Sequence, residues 1–327
     1  MAGVSPAMVS RVLNHNYGSP ETRAKVLKAA RELNYRPNAA ARAIVTRRSY
    51  LLGAVTPRLE TQWIGDVVTS MQAHAERLGY EMMIVHGKTD PESEDKVLNM
   101  LVERRVEGIA LLTANRNCDH YERFQAAHRT PLIFLDHAPA GSPPGSLVSV
   151  DHVEAGRLAA DYLLERGFRR IAAIGQNHHC DRLRLSGFLD AHRQHGVEAF
   201  EPGTALLRPR EAIADRVASL LPHKPDALVT MNMHYTKAVL AALNDLAVSI
   251  PGDLALLCIG NESWYDVYRP PLTAVAQPID EIGRVAVERL VAMAAGGVRE
   301  SSDALLAPFV VPRRSCGEVR EASQSTA

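Results

Sequence analysis

The sequence predicts an α/β protein with two lobes, each a doubly wound parallel sheet, preceded by a small all-α head. Three observations predict this fold. From Tyr50 onward, strand-like and helix-like segments alternate, which favours parallel sheets covered by helices on both sides. A Pro/Gly/Ser-rich stretch at residues 138–146 interrupts the alternation and divides it into two series. The residues before Tyr50 carry many arginines and lysines but only two acidic residues, Glu21 and Glu32.

The head begins with two short helices that have clear start signals. Ser5 is a good N-cap, and Pro6 occupies the first helical position, where its missing N–H costs nothing. Ser19 and Pro20 repeat this arrangement. We expect one face of the second helix to carry its apolar residues, which are Val26, Leu27, Ala30 and Leu33. A third short helix is predicted at residues 39–46, and the basic excess of the head is typical of a phosphate-binding surface.

The body follows in alternating segments. We predict strands at residues 51–55, 81–85, 108–112, 132–135, 147–150, 171–174, 227–230 and 254–258. We predict helices at residues 64–78, 92–105, 121–127, 154–166, 182–195, 210–221 and 236–246. In such sheets, ligands bind beyond the carboxyl ends of the strands.

Composition excludes several classes of protein. The chain has 327 residues, of which 46% are hydrophobic, and its formal net charge is zero. No apolar run reaches the roughly 20 residues of a membrane span, and no signal peptide pattern is present, so we expect a cytoplasmic protein with no membrane partner. The cysteines show no paired spacing, which favours a reducing compartment; they are Cys118, Cys180, Cys258 and Cys316.

Ordered motifs run through the whole chain. In the head they are Ala2-Gly3-Val4-Ser5-Pro6-Ala7, Val9-Ser10-Arg11-Val12-Leu13-Asn14, Glu21-Thr22-Arg23 and Asn34-Tyr35-Arg36-Pro37-Asn38. In the body they include Val150-Asp151, Ala155-Gly156, Gly167-Phe168, Arg184, Gly187-Phe188, Ile250-Pro251, Pro270-Pro271-Leu272-Thr273 and Arg314-Ser315-Cys316. With these motifs the chain resembles the lac repressor/galactose repressor (LacI/GalR) family of transcription regulators. The resemblance implies a helix-turn-helix head, a hinge helix and a periplasmic-binding-protein-like body.

The resemblance implies that the head binds a double-stranded DNA operator. Residues 5–14 would be the recognition helix in the major groove, where Arg11 would read guanine. Residues 39–46 would be the hinge helix in the minor groove, with Ile44 as a wedge that kinks the duplex. The residues assigned to DNA in this way are Ser5, Pro6, Ala7, Ser10, Arg11, Asn14, Tyr35, Asn38, Arg42 and Ile44.

The resemblance also implies a domain plan. Residues 1–36 would be a partial helix-turn-helix head, residues 37–49 the hinge, and residues 50–327 the effector-binding and dimerisation domain. The first lobe would take residues 50–146 and 277–302, and the second lobe residues 147–276 and 303–327, so that the chain crosses between lobes three times.

Carried over by position, the resemblance places eight residues at the effector cleft. They are Trp63, Ile64, Asp136, Arg184, Asn232, Gly260, Gln277 and Ile279. Arg184 would be the principal contact, because a guanidinium matches paired hydroxyls or a carboxylate. Gly260 stands where many family members carry a ligand-binding aspartate, and gluconate-type repressors similarly have glycine there. A cleft without that carboxylate is less hostile to an anion, so we expect a sugar or sugar acid and prefer the acid.

The usual enzyme fingerprints are missing, since the sequence has no dinucleotide loop, Walker loop or nucleophile elbow. We therefore expect no enzyme activity and no cofactor. The run His178-His179-Cys180-Asp181 has metal-ligating residue types but no second ligand cluster at a suitable spacing, so we expect no metal.

We thus expect a ligand-responsive repressor that binds a palindromic operator as a homodimer. Only Met1 and Ala2 precede Gly3, so the first helix that family members carry before this turn is not in the sequence. Either the start codon lies upstream or DNA binding is weak. One alternative is a sugar-binding module with a vestigial head. A hydrolase or dehydrogenase is a third possibility, but the sequence offers no nucleophile–base pair for it.

Overall fold

The computed structural model describes residues 3–15, 17–35, 48–57, 61–87, 90–113, 119–200, 203–207 and 213–317. The chain forms two compact units, Met1–Tyr50 and Leu51–Ala327. The expected hinge helix at residues 39–46 lies outside the described residues, and so do Asn38, Arg42 and Ile44.

The first unit contains the two expected helices, α1 (Pro6–His15) and α2 (Pro20–Glu32). The Ser5 hydroxyl accepts the N–H of Met8 at 3.2 Å, and the Ser19 hydroxyl accepts the N–H of Thr22 at 3.2 Å. Both hydroxyls satisfy amide groups that a helix leaves without partners at its start. The start signals in the sequence are therefore confirmed.

The apolar face of α2 is narrower than the sequence predicts. Val26 is buried, but Leu27 is 40% exposed and Leu33 is 55% exposed. Leu27 follows Val26 and is therefore rotated by about 100° around the helix axis. Leu33 lies after the last residue of the helix, as its C-cap.

The second unit contains two six-stranded sheets. The strands of the first sheet are β1 (Leu51–Thr56), β2 (Glu81–His86), β3 (Gly108–Leu111), β4 (Leu132–Leu135), β5 (Leu147–Val150) and β11 (Ala304–Leu306), in the spatial order β11-β5-β4-β3-β1-β2. Those of the second are β6 (Ile171–Gln176), β7 (Thr204–Leu207), β8 (Ala227–Thr230), β9 (Ala255–Ile259), β10 (Thr273–Ala276) and β12 (Phe309–Val311), in the order β12-β10-β9-β8-β6-β7. Neighbouring strands are parallel except for the antiparallel pair β10–β12.

Helices lie between the strands in chain order. They are α3 (Gln62–Arg77), α4 (Pro91–Glu103), α5 (Asp119–Ala127), α6 (His152–Leu164), α7 (His179–Gln194), α8 (Ile213–Leu220), α9 (Met233–Asp245) and α10 (Ile279–Ala294), with short 3₁₀ turns at Leu221–His223 and Ser263–Asp266. Strands β3, β4, β8, β9 and β10 are buried along their whole length, so both faces of each sheet are covered. Within the described residues, no helix has the length and apolar character that crossing a bilayer requires.

The first lobe extends further along the chain than expected. Leu147–Val150 was assigned to the second lobe, but it is strand β5 and pairs with β4 in the first sheet. Ala304–Leu306 was also assigned to the second lobe, but it pairs with β5 as strand β11. The Pro/Gly/Ser-rich stretch at residues 138–146 is thus a loop inside the first lobe. The three crossings between lobes follow β5, β10 and β11.

Two glycines allow helices α6 and α7 to pack backbone against backbone. A Cβ atom at Gly156 would overlap the carbonyl oxygen of Arg184, and a Cβ at Gly187 would overlap that of Val153. Only glycine therefore fits at these two positions, which belong to two of the sequence motifs quoted above. The contact also fixes the position of Arg184 on α7.

We expect Gly187→Ala to destabilise the protein by about 1–3 kcal/mol or more, because the added methyl group forces α6 and α7 apart. Gly65 is the matched control, since it also lies in a helix but has no neighbouring atom within 4 Å of a Cβ. Gly65→Ala should raise stability by roughly 0.5–1 kcal/mol. Urea unfolding of both variants measures the difference, and equal effects would contradict this account of the packing.

Candidate ligand-binding site

A cavity lies between the two sheets, at the carboxyl ends of their parallel strands. It has a volume of about 150 Å³ and shares six lining residues with a wider cavity of about 610 Å³. The smaller cavity is lined by Pro57, Thr61, Trp63, Ile64, Leu112, Thr113, Leu135, Asp136, His137, His178, Cys180, Arg184, Asn232, Met233, His234 and Gln277. Both lobes contribute to this wall, as expected for ligand sites in α/β folds.

Six of the eight residues expected at the cleft line this cavity: Trp63, Ile64, Asp136, Arg184, Asn232 and Gln277. Gly260 and Ile279 are not among the described residues that line it. The fold thus brings together side chains that lie more than two hundred positions apart in the sequence.

Neighbouring residues keep Gly260 and Ile279 away from the cavity. Gly260 has a φ of +101°, and a Cβ built on it would lie 2.8 Å from the Cε of Met233. Met233, which lines the cavity, therefore covers this position. Ile279 begins helix α10 just beyond Gln277, and its N–H donates to the Gln277 carbonyl at 2.9 Å.

Asp136 lies in a tight turn directly after β4. Its φ is +69°, and the N–H of His137 donates to the carbonyl of Leu135 at 2.8 Å, which closes a three-residue turn around Asp136. A residue other than glycine in this backbone region costs about 1–3 kcal/mol, and such residues cluster at functional sites. The turn brings the side chains of Asp136 and His137 into the cavity wall.

The Asp136 carboxylate joins the two lobes. Its Oδ1 lies 3.3 Å from Nε2 of His152, the first residue of α6, and the Cys180 thiol of α7 donates to its Oδ2 at 3.5 Å. Burial by itself raises the pKa of Asp136. Interactions with the neighbouring His137 and His152 side chains outweigh burial, and the pKa lies well below its ordinary value. The cavity wall therefore carries a carboxylate that is ionised at neutral pH.

Two side chains near Asp136 are uncharged at neutral pH. Burial raises the pKa of the Cys180 thiol well above its usual value, and the charge of Asp136 raises it further. Burial lowers the pKa of His178, although the charge of Asp181 opposes this effect. The cavity thus has a protonated thiol and a neutral imidazole beside its carboxylate.

Arg184 is only 5% exposed, and protein groups hold most of its guanidinium. Its Nε donates to Nδ1 of His152 at 3.2 Å, while Nη1 donates to Oδ1 of Asp181 at 3.1 Å and to the Met231 carbonyl at 2.6 Å. Asp181 therefore balances the charge of Arg184. Among the described residues, none forms a hydrogen bond with Nη2, which is left for a ligand.

Asp181 organises the second-lobe wall although it is fully buried. Its Oδ2 accepts the N–H of Gln176 at 2.7 Å and also a hydrogen bond from the Asn232 amide. The Asn232 Oδ1 accepts the N–H of Tyr235 at 3.2 Å, so Asn232 is the N-cap of α9. Both polar ends of Asn232 are thus bonded within the protein, and this side chain shapes the cavity wall.

Trp63 and Gln277 carry polar atoms without partners. Trp63 is 9% exposed and Gln277 is 7% exposed, and both line the cavity. Among the described residues, neither the Trp63 Nε1 nor the Gln277 Oε1 has a hydrogen-bond partner. Buried polar atoms are nearly always paired, so an unpaired donor and an unpaired acceptor in two residues of one cavity wall favour a polar ligand there.

Sequence reasoning missed the two buried acids next to this cavity, Asp181 and Glu94. Glu94 accepts hydrogen bonds from the hydroxyls of Thr113 and Tyr121, and it thereby supports Thr113 in the cavity wall. Both acids occur in the first turn of a helix. Acidic residues are common there because they interact favourably with the positive end of the helix dipole. No local signal in the sequence distinguishes them from ordinary helix-start acids.

The first unit presents several of the residues assigned to DNA. Ser5, Pro6, Ala7 and Arg11 are exposed on and before α1, and Tyr35 is 54% exposed. The guanidinium of Arg11 lies 5.8 Å from the ring centre of Tyr17, which is also exposed. Ser10 and Asn14 belong to α1, but their side chains lie outside the described part of the chain.

Comparison with known proteins identifies the family. Residues 1–38 match the model of bacterial regulatory proteins of the lacI family, and residues 160–316 match that of the periplasmic binding protein-like domain. The HTH-type transcriptional regulator DegA of Bacillus subtilis (strain 168) is 30% identical over 292 residues, which cover 86% of each chain. The chain belongs to the LacI/GalR family of transcription regulators.

Two further comparisons extend over nearly the whole regulator. The ribose operon repressor of Escherichia coli (strain K12) is 27% identical over 322 residues, 96% of this chain and 97% of that protein. The crystal structure of the lac repressor dimer, bound to operator and the anti-inducer ONPF, matches with a TM-score of 0.80 at 24% identity, covering 97% and 96% of the two chains. The structural match establishes the fold. Because its relatives are transcription regulators, this chain is a DNA-binding regulator and not an enzyme.

We expect Asp181→Asn to destabilise the regulator by about 3 kcal/mol or more, because it leaves Arg184 as a buried charge without a counter-ion. Asp190→Asn is the matched control on the same helix, since Asp190 forms an exposed ion pair with Arg193. Its effect should stay below about 1 kcal/mol, as for most surface pairs. Thermal and urea unfolding measure both, and a mild effect of Asp181→Asn would contradict the role given to Asp181.

Proposed function

We propose that this regulator binds a sugar or a sugar acid in the cavity between its lobes, and that this effector controls the binding of a homodimer to a palindromic DNA operator. The unpaired Trp63 Nε1 and Gln277 Oε1 are the observation that carries the effector assignment. A sugar hydroxyl both donates and accepts hydrogen bonds, so a polyhydroxyl ligand satisfies both atoms. The indole ring also offers an apolar face for a sugar ring.

The charges of the wall bear on the choice between a neutral sugar and a sugar acid. The ionised Asp136 accepts hydrogen bonds from sugar hydroxyls and repels a carboxylate. A sugar acid would have to direct its carboxylate to the free Nη2 of Arg184, on the other lobe. The structure therefore favours a neutral sugar more than the sequence does.

The proposed DNA-binding surface is the exposed start of α1. Arg11 offers a guanidinium that can donate two hydrogen bonds to guanine in the major groove, while Ser5, Pro6 and Ala7 lie beside it along the chain. A homodimer would present two such helices, which accounts for the palindromic operator. The lac repressor is a dimer bound to operator in the crystal structure that shares this fold. The free thiols of Cys180, Cys258 and Cys316 fit a site of action in the reducing cytoplasm.

Coupling between the two sites would arise from the lobes. A ligand that bonds to Asp136 on the first lobe and to Arg184 on the second stabilises one relative orientation of the lobes over another. An effector shifts a conformational equilibrium only through such a difference in affinity. The change in orientation would then alter the affinity of the dimer for its operator.

A thermal-shift screen of sugars, sugar acids and nucleosides tests the effector. A true effector at one hundred times its Kd should stabilise the regulator by about 2.7 kcal/mol. Trp63→Phe and Gln277→Leu should each weaken its binding by about 1 kcal/mol, or roughly fivefold, because each removes one hydrogen bond. Trp264→Phe is the matched control, since the Trp264 Nε1 donates to Glu262 outside the cavity. A screen in which no sugar compound stabilises the protein would overturn the assignment.

Selection from random DNA duplexes, followed by mobility-shift titration of the selected sequence, tests the operator. We expect a palindromic sequence, and Arg11→Ala should weaken its binding by about 1–3 kcal/mol while changing non-specific binding much less. Arg193→Ala is the control, since Arg193 is an exposed arginine of the second unit. Recovery of no preferred sequence would count against operator binding, whatever the effector screen gives.

A further inference from the structure

Three metal-ligating atoms converge at the edge of the cavity. They are a carboxylate oxygen of Asp136, the Nδ1 of His137 and the Sγ of Cys180, and all lie within 4.8 Å of one another. The sequence shows only the run that contains Cys180, with no second ligand cluster nearby. The fold supplies that second cluster, because Asp136 and His137 follow β4 in the first lobe while Cys180 lies in the first turn of α7 in the second.

Two of the three spacings between these atoms fit a tetrahedral site, and the third, from the His137 Nδ1 to the Cys180 Sγ, is at most 4.8 Å. Oδ2 of Asp136 lies 3.5 Å from the Cys180 Sγ and 3.6 Å from the His137 Nδ1. Zinc forms bonds of about 2.0–2.3 Å to oxygen, nitrogen and sulfur, so two ligands at a tetrahedral angle stand roughly 3.4–3.6 Å apart. Both measured distances match this value closely. The other carboxylate oxygen, Oδ1, lies 3.3 Å from the Nε2 of His152. This contact would orient the Asp136 carboxylate, as hydrogen-bond partners of metal ligands commonly do.

The His137 nitrogen is the second indication of a ligand. Its Nδ1 is buried, and the described residues provide no hydrogen-bond partner for it. An imidazole nitrogen that carries no proton has a lone pair available for a cation. The neighbouring His178 differs, because its Nδ1 accepts the N–H of Asp181 at 3.4 Å and its Nε2 lies 3.7 Å from the Asp181 carboxylate.

We propose that Asp136, His137 and Cys180 bind one Zn²⁺ ion that ties the two lobes together across the cavity. Oxygen, nitrogen and sulfur donors together suit zinc among the divalent transition metals. The ion takes the place of the thiol proton that Cys180 now directs at Asp136, and this proton is released to solvent. Three protein ligands leave one position of the tetrahedron open toward the cavity. A water molecule or an oxygen atom of a cavity ligand fills it.

Cobalt binding to the metal-free regulator tests the proposal without operator or sugar. We expect one Co²⁺ per chain, with the intense visible bands of a tetrahedral site and a thiolate-to-cobalt charge-transfer band in the near ultraviolet, and we expect Zn²⁺ to displace it. Cys180→Ser should abolish the charge-transfer band. Cys316→Ser is the matched control, because Cys316 is a buried thiol of the same lobe that donates to the Leu256 carbonyl. It should keep the band.

His137→Gln provides a second variant with little risk to folding, since this side chain is 26% exposed. It should lower zinc affinity at least tenfold in competition with a chromophoric chelator. Zinc should also raise the Tm of the native protein but not that of Cys180→Ser. No cobalt spectrum in the native protein, or an unchanged spectrum in Cys180→Ser, would overturn the site. Because neither readout involves sugar or DNA, such a failure leaves the effector and operator proposals standing.

Discussion

The contact between Asp136 and the second lobe is the interaction on which the site depends. One carboxylate meets His152 through one oxygen and Cys180 through the other, and these two residues begin neighbouring helices. A charge that is only partly exposed needs such partners, because burial without them would return it to the protonated form. Any ligand or ion that enters the cavity must therefore compete or cooperate with this contact. That requirement links occupancy of the cavity to the separation of the lobes.

A second buried acid, Asp181, gives the second lobe its fixed geometry. It neutralises Arg184 and accepts a hydrogen bond from Asn232, so one carboxylate holds two residues of the cavity wall. Glycines at the contact of α6 with α7 allow Arg184 to reach this position. Packing and electrostatics thus cooperate: close helix contact places the guanidinium, and the buried acid fixes its direction. Trp63 of the first lobe and Gln277, at the crossing that follows β10, each carry a polar atom for which the described residues provide no hydrogen-bond partner.

The fold and six of the sixteen residues that line the cavity follow from signals that are visible in the sequence. The sequence predicts the helix starts at Ser5 and Ser19 because capping depends on a few adjacent residues. It predicts the strands because buried parallel strands are continuously apolar. The lobe boundary at Val150 could not be predicted from the sequence. Membership of a sheet depends on hydrogen bonds to β4, and the periodicity of the sequence does not reveal them. Asp181 and the approach of Cys180 to Asp136 were invisible for the same reason, because both arise from contacts distant in the sequence. Gly260 is a motif position that is not among the described residues lining the cavity, although its neighbour Met233 is.

The last two strands have a consequence for biosynthesis. β11 completes one edge of the first sheet, and β12 completes one edge of the second, although only two residues separate them in the chain. Both sheets therefore remain incomplete until residues 304–311 have left the ribosome. An emerging chain therefore exposes two unfinished sheet edges at once, and unpaired strand edges favour aggregation. A nonsense mutation just before Ala304 would remove an edge strand from each sheet and would therefore damage both lobes together.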